Sequence, residues 1–183
     1  MATRDVLSDV GETLVAVISA GVSSIVAPSD VLITTTDEMR DKPPKGPAVT
    51  LFLYEIGANA ELRNAPPSPG FTRPRLALDL RYLITPWATD AGTAHQVCGH
   101  ILQTLYDHTS LVRGDLVGAS WGADDTVQIL LESIPVSEHH YIWDPAELPY
   151  KLSLAYLVRV IGLDPSVPDA TGVVAMATMG GPS

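Results

Sequence analysis

The sequence predicts an α+β fold: a mainly antiparallel mixed sheet of about five to six strands with two helices packed on one face. Three observations carry this. Leu76, Leu78, Leu80, Tyr82 and Ile84 alternate with Arg75, Ala77, Asp79, Arg81 and Leu83, the period of a strand with one apolar face. Two other stretches repeat apolar residues at three and four, the period of amphipathic helices. Runs of strand and helix character follow in the order helix, three strands, helix, two strands, which does not suit a βαβ sheet.

The first helix is expected from Thr3 as its cap, with Asp5 in the first turn. Val6, Val10, Leu14, Val17 and Ile18 form its stripe, and Gly21 and Pro28 bring it to an end. Val31 to Thr35 is a short branched run that suits a strand. Residues 37–47, DEMRDKPPKGP, read as a charged, Pro-rich loop. AVTLFLYEI (48–56) reads as a central strand, because both of its faces are apolar. Gly57, Ala58 and Asn59 signal a turn or bulge, and Glu61 to Asn64 extend the ladder. APPSPGFTRP (65–74) is a long loop, since its prolines cannot donate to a sheet.

Strand 75–87 comes next and is the centre of the sheet; Pro86 ends its ladder near Trp87. Thr89 or Asp90 starts a second helix to about Tyr106, with Ala94, Val97, Cys98, Ile101, Leu102 and Leu105 as its stripe. Residues 107–126 form a loop with an extended piece at Leu111 and Val112. Thr126 to Ile134 is a strand stopped by Pro135, Ser137 to Leu148 an irregular helical turn, and Lys151 to Ile161 the last strand. One domain spans 1–165, and 166–183 is a Pro- and Gly-rich tail carrying the apolar patch VVAMA at 173–177.

Composition narrows the function. Hydrophobic residues make up 46% of the 183, enough for a real core. The formal net charge is −10, which argues against nucleic acid and against an anionic membrane surface as partners. The apolar window Leu14 to Ala27 is too short and too broken by Ser and Gly to span a bilayer. A single cysteine, Cys98, excludes an internal disulfide and fits a reducing compartment. No secretory leader pattern is visible at the N-terminus.

Catalytic patterns fail on inspection. GASWG at 118–122 matches G-x-S-x-G, but a strand follows Ser120 where a nucleophile elbow needs a helix. His95 and His100 are five apart and His139 and His140 adjacent, so neither pair shares a helix face as metal ligands do. Asp124 and Asp125 read as a solvated turn, and no phosphate-cradling glycine pattern occurs. No catalytic, metal or cofactor site is expected. Trp87, Trp121 and Trp143 lie near loops, as part-buried strand-end residues or as interface anchors.

Four segments carry a family resemblance: LFLYEIGANAELRN (51–64), RPRLALDLRYLITPWA (73–88), HQVCGHILQTLYDH (95–108) and YKLSLAYLVRVIGLDP (150–165). The opening helix, DVGETLVAVI (9–18), fits as well. Over residues 5–165 the chain resembles the conserved N-terminal domain of the tube-terminator, or cap, proteins of extracellular contractile injection systems, which are phage-tail-like particles. The resemblance implies a non-enzymatic structural subunit with a fold like that of phage tail terminators. It implies a homo-oligomeric ring, usually hexameric, that ends the inner tube and anchors the last layer of sheath protein. The cofactor expectation is none. The implied location is cytoplasmic at assembly, then a particle that can be released. A terminator of a true tailed phage shares this mechanism; a hydrolase using Ser120 is the reading from a different class. Tyr54, Leu62, Arg63, Asn64, Trp87 and Trp143 are the expected interface residues, contributing either packing or ring contacts. The tail patch 173–177 is a candidate arm.

Overall fold

The computed structural model describes residues 5–59 and 74–163. Its elements are α1 (Val6–Val22), β1 (Val31–Ile33), α2 (Thr36–Asp41), β2 (Ala48–Ala58), β3 (Leu76–Trp87), α3 (Ala91–Asp107), β4 (Ser110–Val112), β5 (Thr126–Glu132), α4 (Val136–Trp143) and β6 (Leu154–Leu163). Short 3-10 turns occupy Pro28–Asp30 and Asp144–Ala146. The six strands form one sheet in the order β1-β2-β3-β6-β5-β4. Among the described strands only β1 and β2 pair in parallel; every other neighbour pair is antiparallel. The α+β class and the mixed sheet therefore stand as read.

β3 occupies the middle of this sheet, between β2 and β6. Its even-numbered face, from Leu78 through Leu80 and Tyr82 to Ile84, is buried under α1 and α3 in the main core. Val6, Val10, Leu14 and Ile18 of α1, and Val97, Ile101 and Leu105 of α3, complete that layer, as the helical stripes require. Asp79 and Arg81 lie on the opposite, wetter face. Arg81 pairs with Glu55 at 2.9 Å and Glu132 at 3.1 Å, and Asp79 pairs with Arg159 at 3.1 Å. At these exposures such pairs contribute register and solubility more than stability.

The sequence expectations need several corrections. Gly21 does not end α1; the helix runs through it to Val22. Glycine is needed there because α3 crosses closely: a Cβ on Gly21 would sit 2.7 Å from Thr104 Cβ and Cγ2. The cap at Thr3 lies outside the described residues; Asp5 occupies the N-cap position. Residues 37–47 are not all loop. Thr35 and Glu38 form a reciprocal capping box that starts α2, satisfying two otherwise free backbone donors. The bulge of β2 falls between Leu53 and Glu55, not at Gly57–Asn59, through which the strand continues to Ala58.

Helices also cover both faces of the sheet, not one. A second core packs Met39 of α2 and Trp143 of α4 with Ala146 against Ala48, Leu83 and Trp87. These residues sit on the odd-numbered side of β3, which the apolar Leu83 and Trp87 make unfit for water.

Candidate functional site

The GASWG loop is a clasp on the first helix. Asp9, in the first turn of α1, is 9% exposed and accepts the Ser120 backbone N–H at 2.8 Å. Thr13 accepts the Val117 N–H at 3.0 Å while donating to the Asp9 carbonyl at 2.7 Å. Gly118 has φ +99, and a Cβ there would collide with the Asp9 carboxylate. Trp121 is buried and donates Nε1–H to the Val117 carbonyl at 2.6 Å. Asp125 accepts the Gly122 N–H at 2.6 Å and pairs with Arg75. Gly118 of the motif thus serves close approach to a buried carboxylate. Ser120 itself is 3% exposed, and the next regular element is β5, so the strand–turn–helix setting of a nucleophile elbow is missing.

The two expected interface tryptophans are buried within the chain's second core. Trp87 and Trp143 are 4% and 3% exposed and meet edge to face, with ring centroids 6.1 Å apart. Trp87 donates Nε1–H to Thr50 Oγ1 at 2.8 Å, and Trp143 donates to Ser153 Oγ at 3.2 Å. Ser153 also bonds Thr85 Oγ1 at 2.9 Å, so every indole proton in this layer has a partner. The Lys151 ammonium lies 5.3 Å from the Trp87 ring centroid, a cation–π contact. Tyr54 packs at the border of this second core. Burial, then the nearby Glu132 carboxylate, pushes its phenol up to about 12. Leu62, Arg63 and Asn64 lie outside the described residues.

The histidines do not gather. His95 and His100 lie exposed on α3, where His100 Nδ1 is 3.1 Å from the Gly21 carbonyl. His139 and His140 sit on α4 beside Tyr150. Burial holds the His139 imidazole below its ordinary pKa. Among the described residues, no group of three or more His, Cys, Asp or Glu is placed to hold a metal ion. Cys98 is buried on α3, and burial raises its thiol, as expected of a core position. No described helix is long and apolar enough to cross a membrane.

The chain exposes apolar side chains at both ends of its sheet. At one end, Leu32 and Ile33 of β1 are 45% and 49% exposed. At the other, β4 pairs with β5 only over Thr126–Gln128, leaving Leu130 and Leu131 at the edge, 41% and 59% exposed. Beside them a cleft of about 370 Å³ opens between α3 and the sheet, lined by Leu102, Tyr106, Leu131 and Tyr156. Sequence reading missed both edges, because edge position depends on strand order and not on any local pattern.

No curated protein matches the sequence. Among solved structures, the chain is similar to the sheath/tube terminator of PVC, an extracellular contractile injection system, in its extended state. That match has a TM-score of 0.66 at 24% identity, covering 100% of this chain and 65% of that one. It is also similar to the tube-terminating cap of the anti-feeding prophage, with a TM-score of 0.59 at 24% identity, covering 97% of this chain and 61% of that one. The chain thus spans less than two thirds of the length of either. These likenesses show a shared fold. The family described as the Pvc16 N-terminal domain matches residues 9–175, which is most of the sequence, and the chain belongs to that family.

Proposed function

We propose that this chain is the part of a contractile injection system that terminates the inner tube: copies close into a ring on the tube end, stop its growth and hold the last sheath layer. The observation that carries this reading is the family match over residues 9–175 together with the fold shared with two proteins described as tube terminators. The subunit's construction is compatible with a scaffolding role. Its buried carboxylate Asp9 and its buried tryptophans Trp87 and Trp143 are spent on contacts within the chain. A subunit with two unlike flanks is what a closed cyclic assembly uses.

Six-fold symmetry, contact with tube and sheath proteins, assembly in the cytoplasm and the absence of catalysis belong to the same proposal. Trp87 and Trp143 would act from beneath, by fixing α4, while Tyr54, Leu62, Arg63 and Asn64 would stand at the contact. The test is elongation of the cognate tube protein with and without the purified chain. Tubes that stop at shorter lengths as the chain is added support the reading. A length distribution indifferent to it refutes the reading.

A further inference from the structure

We infer that the ring contact is made between the two ends of the sheet: the β1 edge of one copy lies against the Leu130–Glu132 edge of β5 in the next. This rests on the ring proposed above and names the surfaces that form it.

The backbone supplies the first argument. Thr34 N–H bonds inward to Leu51 O, so strand alternation turns the N–H and C=O of Ile33 outward, away from β2. Ile129 N–H bonds outward to Thr109 O, so Leu131, two residues on, also points its backbone groups away from β6. Beyond β4, among the described residues, no strand pairs with Leu131. Each edge therefore holds a residue, Ile33 or Leu131, whose outward donor and acceptor pair with no strand among the described residues.

The side chains supply the second. Sheet edges are normally guarded by Lys, Pro or bulges. The outer strands β1 and β4 are short, which is a further guard, but the edge positions carry no Lys or Pro: they are Leu32 and Ile33 at one end and Leu130 and Leu131 at the other, all more than 40% exposed. Ile33 faces the α1–α3 side of the sheet, its Cδ1 close over Gly11 of α1. On the same side at the far edge lies the cleft of Leu102, Tyr106 and Tyr156. One end presents Leu32 and Ile33; the other presents Leu130 and Leu131 beside a cleft. Unlike patches at opposite ends of one subunit make a head-to-tail contact, which closes into a ring where the rotation between copies allows it, whereas a self-complementary patch would stop at a dimer. Strand addition supplies the hydrogen bonds and the cleft supplies selectivity.

The experiment is disulfide trapping in the full chain, with buried Cys98 replaced by Ala to leave no other thiol. Paired strands bring Cα atoms to about 4.5–5.5 Å, within the usual disulfide span of about 4.4–6.8 Å. Ile33→Cys with Leu131→Cys, oxidised on tube ends, should give a covalent ladder beyond dimer, while each single-cysteine variant stays monomeric under denaturing conditions. A second variant, Leu131→Lys, should keep the parent's melting temperature and lose at least tenfold in oligomer formation. Dimers from Leu131→Cys alone would show a self-complementary contact and overturn the proposal. Trapping of Leu131→Cys to tube or sheath protein would assign the edge to that partner and overturn it too. Rings that cap tubes yet give no ladder overturn the edge contact and leave termination standing. A parent chain that never assembles, on tubes or alone, overturns termination itself.

Discussion

Replacing Asp9 by Ala removes the acceptor on which the 116–122 loop closes. Its carboxylate is 9% exposed and takes the Ser120 N–H at 2.8 Å. Without it a buried amide is left unpaired, which costs about 1–3 kcal/mol. Asp9 also lies in the first turn of α1, where a carboxylate adds about 0.3–1 kcal/mol against the helix dipole. Together the loss is about 1.3–4 kcal/mol, or roughly 3–16 °C in melting temperature for a chain of this size. Asp9→Asn keeps an acceptor oxygen and should lose about half as much. Ser120→Ala keeps the backbone donor and should shift stability by less than about 1 kcal/mol. Thermal unfolding followed by circular dichroism reads all three. The clasp is wrong if Asp9→Ala melts with the parent, or if Ser120→Ala is the more damaging change. A hydrolase reading of GASWG makes a different demand, since it needs the Ser120 hydroxyl and places no weight on Asp9.

Gly21→Ala should destabilise by about 1–3 kcal/mol, the usual effect of forcing an atom into a filled contact, because its Cβ would meet Thr104; adding Thr104→Ala should recover part of that in chemical denaturation. Trp143→Ala removes a fully covered ring from the second core and should cost about 3–5 kcal/mol, with loss of near-ultraviolet dichroism from the Trp87–Trp143 pair while the α1–α3 layer persists. His139 has a pKa held down in the folded state by burial, so the unfolded chain binds the proton more readily. Stability should then fall as pH drops below about 6.5, and His139→Gln should flatten that part of the profile in denaturant titrations at successive pH values.

How far the sequence was legible depends on how local each signal is. The even-numbered face of β3 and the stripes of α1 and α3 repeat within ten or so residues, and their buried positions follow from that period. α2 escaped notice although Thr35 and Glu38 carry a capping signature, because a charged, Pro-rich tail follows and only Met39 is buried in it. The second core joins Trp87 to Trp143 and Thr85 to Ser153, contacts across more than fifty residues with no periodic trace. The clasp joins Asp9 to Ser120, 111 positions away; read alone, its glycines imitate a catalytic turn. Of the expected interface, Leu62, Arg63 and Asn64 lie outside the described residues, and the two tryptophans are covered by their own chain.

Electron microscopy of tubes grown from the cognate tube protein in the presence of this chain bears most directly on its role. The account predicts a ring of copies, coaxial with the tube, at one end and nowhere along the wall. Bare ends, or density spread along the sides, would contradict it.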